Sequence, residues 1–184
     1  DLYELDGLYY KRFTDSPFTG KIVGGEKQGS MKDGKKEGNW IEYYESGQIK
    51  KSKGEFKNGK RDGAWFEYWG NGKLKSKVNY KNDLKEGTWV EYHDNGQLWS
   101  KGKYNKSGKP EGEWFSYHDN GQLRSKGEYE NGEKEGLFVK YYSNGKIDSK
   151  VDFKNGENHG LWIHYLDNGK LEFKREYKYG KKDG

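Results

Sequence analysis

The chain contains no cysteine, which removes disulfides and thiolate metal sites and leaves the redox compartment open. It has no apolar run approaching the roughly 18 residues that a helix needs to span a bilayer. Hydrophobic residues are scarce, 29% against 35% charged, and such a composition alone points to disorder, because too little apolar surface is available to offset chain entropy. The charge is not one-sided either. Thirty-five Lys and Arg stand against 30 Asp and Glu, for a formal net charge of +5, a mild bias far from that of a nucleic-acid tail.

What is abundant reverses the disorder reading. Aromatics make up 17% of the chain, with 7 Trp and 16 Tyr among its 184 residues, and they recur at fixed phase. Large rings bury much area each, so a thin structure can be held by few of them. The marker glycines Gly38, Gly63, Gly87, Gly112, Gly136 and Gly160 are spaced by 25, 24, 25, 24 and 24 residues, and Trp40, Trp65, Trp89, Trp114, Phe138 and Trp162 follow each by two. A fixed period in this range marks a repeat architecture whose units pack only on their neighbours.

The expected fold is therefore all-β: an elongated single-layer antiparallel sheet of tandem β-hairpins, about 24 residues per repeat. Residues 1–37 read as a degenerate N-terminal cap, with strands over 8–13 and 18–23 around a turn at Thr14-Asp15-Ser16-Pro17, and Asp33-Gly34 in phase with later turns. Six repeats follow, at 38–62, 63–86, 87–111, 112–135, 136–159 and 160–184, as one continuous repeat domain. Each carries Asn-Gly at its middle (Asn71-Gly72, Asn95-Gly96, Asn120-Gly121, Asn144-Gly145, Asn168-Gly169, with Ser46-Gly47 as the variant). That dipeptide is a type I′ hairpin signal.

A two-residue loop at Asn120-Gly121 sets Trp114 opposite Gly127, Ser116 opposite Ser125 and His118 opposite Leu123, with each indole lying over the glycine it faces. The same count places Trp65 opposite Val78, Trp89 opposite Gly102, Phe138 opposite Val151 and Trp162 opposite Arg175. Repeat one has an extra residue, expected as a bulge at Lys50-Lys51, and a second insertion falls in the loop from Asn105 through Pro110. Period-two alternation then puts Trp114, Ser116, His118 and Leu123 on one face and Phe115, Tyr117, Arg124 and Lys126 on the other.

The second face is the candidate partner-binding surface: Tyr43, Tyr68, Tyr92, Tyr117, Tyr141 and Tyr165 beside Lys77, Lys101, Lys126 and Lys150. Lysine stems can cover apolar neighbours while their ammonium groups stay wet. Basic groups interleaved with aromatics also serve single-stranded nucleic acid or anionic lipid, but Glu55, Glu128, Asp152 and Glu176 interrupt the same face, so neither nucleic acid nor a membrane surface is the favoured partner. His93 and His118 recur at one repeat position whose equivalents are Tyr44, Trp69, Tyr142 and Leu166, which reads as an interchangeable aromatic surface position, while His159 and His164 sit in the final copy. No nucleophile motif, metal-ligand spacing or phosphate loop occurs. No enzyme activity, cofactor, metal or small-molecule substrate is expected.

The recurring Gly-x-Trp-x-x-Tyr, Asn-Gly-Gln-Leu, Ser-Lys-Gly-x-Tyr and Asn-Gly-Lys/Glu elements over residues 30–184 resemble the bacterial MORN-repeat variant, the group labelled YwqK-family antitoxins. Residues 6–10 and 13–20 are similar to the leader unit of such proteins. The resemblance implies single-layer hairpins and an immunity protein that neutralises a toxin. Related eukaryotic proteins look like β scaffolds that bind partners or lie near membranes. The expected function is a protein-binding scaffold, with the antitoxin of a toxin–antitoxin pair as its specific form and a cell-envelope or surface module as the alternative. The compartment is left open, cytoplasmic or exported if a signal peptide preceded Asp1, and self-association through edge strands is open as well.

Overall fold

Only alternating short hydrophobic and polar runs punctuated by turn residues are available to this chain, and the structure, a computed structural model, is built from them. It describes residues 2–45 and 50–183. All described strands pair antiparallel and no helix occurs among the described residues. The chain forms two compact units, residues 1–85 and 86–184.

The first unit opens with a separate two-stranded ladder, β1 (Leu2–Leu5) with β2 (Leu8–Lys11). A sheet follows in the order β3 (Gly20–Ile22), β4 (Lys27–Lys32), β5 (Lys35–Tyr43), β6 (Lys50–Lys57), β8 (Gly63–Tyr68) and β9 (Leu74–Lys81), with the short β7 (Lys60–Arg61) also on β6. The opening strands differ from expectation: β1 is additional, and β2 and β3 are shorter than residues 8–13 and 18–23. The turn between β2 and β3 curls back, so that Phe18 N–H donates to Tyr9 O and Tyr9 N–H to Gly34 O.

The second unit is an uninterrupted ladder of neighbours: β10 (Leu84–Tyr92, starting two residues before the boundary), β11 (Leu98–Tyr104), β12 (Pro110–Tyr117), β13 (Leu123–Glu130), β14 (Glu133–Tyr141), β15 (Ile147–Lys154), β16 (Glu157–Tyr165), β17 (Leu171–Lys178) and β18 (Lys181–Asp183).

Two kinds of turn alternate, and their assignment reverses the sequence expectation. The type I′ turns lie between hairpins, at Asn131-Gly132 (φ 50° and 91°), Asn58-Gly59 and Asn155-Gly156, where both residues are left-handed. In the mid-repeat turns only the glycine is, as at Gly121 (φ 82°). There Gly121 N–H donates to His118 O and His118 N–H to Gln122 O, the pattern of a type I turn closed by a glycine bulge. Asn-Gly satisfies both geometries. Here Asn120 Oδ1 accepts the Gln122 N–H at 3.0 Å, an Asx turn that favours the three-residue loop.

The longer loop shifts the pairing to Tyr117↔Leu123, and a bulge at Arg124 restores Ser116↔Ser125 and Trp114↔Gly127. His118 therefore does not face Leu123. Because the two irregularities cancel, the expected pairings beyond the tip all hold, including Trp65↔Val78, Trp89↔Gly102, Phe138↔Val151 and Trp162↔Arg175. The bulge expected at Lys50-Lys51 is present, with Glu42↔Ser52 followed by Tyr43↔Lys50, but every repeat has its counterpart. The extra residue of repeat one lies between Tyr43 and Lys50, and the Ser46-Gly47 turn falls outside the described residues.

The marker glycines have a separate cause. Between hairpins the register jumps from Lys101↔Phe115 to Lys103↔Glu111, and Gly112 occupies that bulge at φ 68°. A left-handed residue in a bulge favours glycine, so the 24-residue period marks where each hairpin joins the next.

The indoles stack on a different glycine from the one expected. Trp114 pairs through its backbone with Gly127, yet its ring lies over Gly102 of the preceding hairpin, where an added Cβ would sit 2.2 Å from Trp114 Cδ2. Trp65 covers Gly54 and Phe138 covers Gly127 in the same way. Side-chain direction along the strand, which backbone pairing does not specify, decides the seat.

The rings then meet edge-to-face across strands. In the first unit Phe56 joins Trp40 at 6.0 Å and Trp65 at 5.2 Å. In the second, Tyr104–Trp114, Trp114–Tyr129, Tyr129–Phe138 and Phe138–Phe153 run at 5.2, 5.8, 5.4 and 5.1 Å. Lys134 Nζ lies 4.6 Å from the Phe153 ring centre and Lys36 Nζ 4.8 Å from that of Trp40. Burial lowers the pKa of both ammonium groups.

Replacing Gly102 by Ala drives a Cβ into Trp114 and is expected to cost about 1–3 kcal/mol, the usual range for overpacking. Gly70→Ala, where nothing lies within 4 Å of the added atom, is the near-neutral control. Urea unfolding of the two variants checks both.

Candidate functional site

A lone exposed lysine is a mobile charge, but here cross-strand pairing fixes each one beside apolar neighbours. Lys53 pairs with Ile41 on one side and Phe66 on the other. In the second unit Lys101 lies between Val90 and Phe115, Lys126 between Phe115 and Val139, and Lys150 between Val139 and Ile163. Lys53 Nζ sits 4.9 Å and Lys77 Nζ 5.7 Å from the centre of the Phe66 ring, and Lys101 Nζ is 4.9 Å from that of Phe115. Desolvated contacts of this kind contribute up to about 2 kcal/mol, and exposed ones about 0.5–1 kcal/mol. The lysines thus form part of the fold's covering layer while keeping charge on the surface.

Tyr43 and Tyr68 in the first unit, and Tyr92, Tyr117, Tyr141 and Tyr165 in the second, are all half-buried. Period two along β12 sets Tyr117 on the Phe115 side. Its cross-strand partner is Leu123, and directly paired side chains project to the same side. Leu98, Leu123, Ile147 and Leu171 therefore join the tyrosine and lysine face, beside Tyr92, Tyr117, Tyr141 and Tyr165 respectively.

Arg124 moves the other way. It shares a groove with Ser116 and His118, just as Lys75 Nζ lies over Trp69 and the Trp99 ring sits tilted 6.0 Å from that of His93. The bulge carries this residue to the tryptophan face. The candidate surface is consequently more aliphatic and less basic near its tyrosines than period-two counting implied.

The position shared by His93 and His118 is not a bland aromatic one. His93 Nε2–H donates to Tyr117 O at 3.1 Å and His118 Nε2–H to Tyr141 O at 2.8 Å. Tyr142 Oη–H does the same to Tyr165 O at 2.7 Å, and Tyr44 Oη–H to Tyr68 O at 2.6 Å. Each ring tip reaches the tyrosine carbonyl of the following repeat. Asn95, Asn120 and Asn144 Nδ2 make parallel bonds to Asp119, Ser143 and Asp167 O. Along the other edge, Glu37, Glu111 and Glu135 carboxylates accept the Asn58, Asn131 and Asn155 N–H of the next type I′ turn at 2.8–2.9 Å.

Sequence reasoning missed these ladders. Their trace was the restriction of that position to residues with a polar ring tip in Tyr44, His93, His118 and Tyr142, against Leu166 in the last copy. In that copy His164 sits between two carboxylates, Nδ1 2.7 Å from Glu172 and Nε2 3.3 Å from Asp148. Among the described residues no cluster of three or more His, Asp and Glu side chains is arranged to hold a metal.

Comparison with known proteins gives one family. The family described as MORN repeat variant matches residues 36–58, 61–82, 85–106, 110–131, 134–155 and 158–179. No curated protein matches the chain. Among solved structures it is similar to the crystal structure of a GtfA/B complex bound to UDP and GlcNAc, at 17% identity over 61% of this chain and 22% of that one, with a TM-score of 0.25. This chain spans 22% of the length of that protein.

Substituting His118 by Phe keeps the ring but removes the donor to Tyr141 O, and the expected loss is about 0.5–1.5 kcal/mol. His118→Gln retains a donor of shorter reach and should lose less. Equilibrium unfolding of both variants, with amide hydrogen exchange at the 118–122 turn, measures the difference.

Proposed function

The chain belongs to the MORN repeat variant family, and from that premise and the face described above we propose that it is a non-enzymatic protein-binding scaffold, in its specific form the bacterial antitoxin or immunity partner of a protein toxin. The observation that carries this reading is the surface of half-buried tyrosines flanked by Leu98, Leu123 and Ile147 and by ring-anchored lysines. Tyrosines on a rigid sheet present amphipathic area with little entropy left to lose on binding, which suits recognition of a protein surface.

Charge favours protein over polyanion. Glu128, Asp152 and Glu176 stand on the same face as the lysines, whereas phosphate backbones require a concentrated basic footprint. On the opposite face Ser100 Oγ–H donates to Phe115 O at 2.9 Å, and Ser116 and Ser125 Oγ lie 2.6 Å apart, so these three hydroxyls serve the fold.

The test is affinity capture from lysate and envelope fractions of the source cells, comparing the wild type with a Tyr92→Ala, Tyr117→Ala, Tyr141→Ala variant. Tyr117 and Tyr141 serve the inter-repeat ladder through backbone carbonyls, which alanine keeps, so circular dichroism of the variant is expected to stay β-type. One stoichiometric protein should be captured by the wild type and lost by the folded variant, and its expression alone should arrest growth that co-expression of this chain restores. A partner retained unchanged by the variant would remove the site from this face, and a partner without toxicity would remove the antitoxin role.

A further inference from the structure

The N-terminal segment packs differently from the repeats. Because β1 and β2 stand outside the main sheet, they leave a groove of about 590 Å³ against β3, β4 and β5. Its floor is apolar. Met31 and Trp40 are each only 3% exposed, and the Phe18 ring is seated over Gly20. Val23 also lines the groove, yet is 82% exposed.

The groove lining is also basic, although Glu42 is the cross-strand partner of Lys27. Lys11, Lys21, Lys27 and Lys36 line it and no carboxylate does. Burial chiefly lowers the pKa of Lys36, and the Lys27 charge pushes the same way, against the opposing carboxylates of Glu42 and Glu4. An apolar floor inside a cationic rim, open along its length, fits a side chain presented by a larger partner. A small molecule would require closer enclosure.

We propose that this groove is a second docking site of the scaffold, taking an acidic segment of a protein partner that inserts one large apolar side chain between Met31 and Trp40 while its carboxylates meet Lys11, Lys21 and Lys27. The proposal rests on the scaffold reading only in taking the ligand to be protein. It places recognition in residues 1–40, apart from the tyrosine face.

The chain has a single methionine, so the ε-methyl of Met31 gives one assignable NMR signal at the groove floor. It is titrated with an acetylated acidic hexapeptide carrying a central Phe, with the same peptide bearing Ser for Phe, and with one bearing lysines for the acidic residues. Only the first is expected to shift the methyl saturably at millimolar concentration. A Lys21→Glu, Lys27→Glu variant, altered at exposed positions and checked for native circular dichroism, should weaken that binding about fivefold or more through loss of rim attraction.

Absence of a saturable shift, an equal response to the basic peptide, or indifference to the lysine substitutions would overturn the proposal. The Tyr92→Ala, Tyr117→Ala, Tyr141→Ala variant, titrated in parallel, should keep the response, which separates failure of this groove from failure of the tyrosine face. Loss of the response in that variant would overturn the groove as a separate site.

Discussion

The contact on which the rest depends is a first-strand ring laid over a bare strand glycine of the preceding hairpin, then met at its edge by a second-strand Tyr or Phe. Among the described residues no side chain falls below 2% exposure, and the buried hydrophobic set is small. A single sheet has no opposing layer to supply a core. Van der Waals contact must therefore come from large rings lying flat along the sheet, and flat rings need glycine beneath them. This constraint ties Trp114 to Gly102, Trp65 to Gly54 and Phe138 to Gly127, and it explains how a chain so poor in aliphatic residues folds at all.

Around that spine each edge has its own hydrogen-bonded ladder. Glutamates hold the type I′ turns, and ring tips with asparagines hold the type I turns. Both ladders run from one repeat to the next, so a hairpin is completed by its neighbour, as in other one-dimensional repeat proteins. The division of labour bears on function. The tryptophan face and the two edges are committed to internal contacts, whereas the opposite face is held by lysines over Phe66 and Phe115 and keeps its tyrosines half-exposed. A surface held this stiffly loses little entropy when a partner covers it.

Much of this was legible in the residues. Trp114 opposite Gly127, and Lys126 opposite Phe115, follow from turn position and period two alone. Period two also places Tyr117 on the side of Phe115 and Lys126, but does not specify what surrounds it. Leu123 and Arg124 exchanged faces because a three-residue loop and a compensating bulge leave the downstream register untouched, and so leave no signature in the pairings a count can test. The role of His118 was hidden for another reason. Its acceptor is the carbonyl of Tyr141, 23 residues on, and becomes visible only when the next hairpin is in place. The N-terminal groove was likewise invisible, since it arises from how β1 and β2 leave the sheet.

The sequence by itself determined the period, the hairpin unit, the antiparallel order and the partners within each hairpin beyond its tip, because these follow from local backbone preferences repeated at constant spacing. Tertiary structure decided which Asn-Gly pairs become type I′ turns, which glycine each indole covers, and which face receives the residue beside each bulge. Those outcomes depend on the neighbouring repeat. A turn dipeptide, a ring torsion and a bulge each have two locally acceptable states, and the contact made with the adjacent hairpin selects between them.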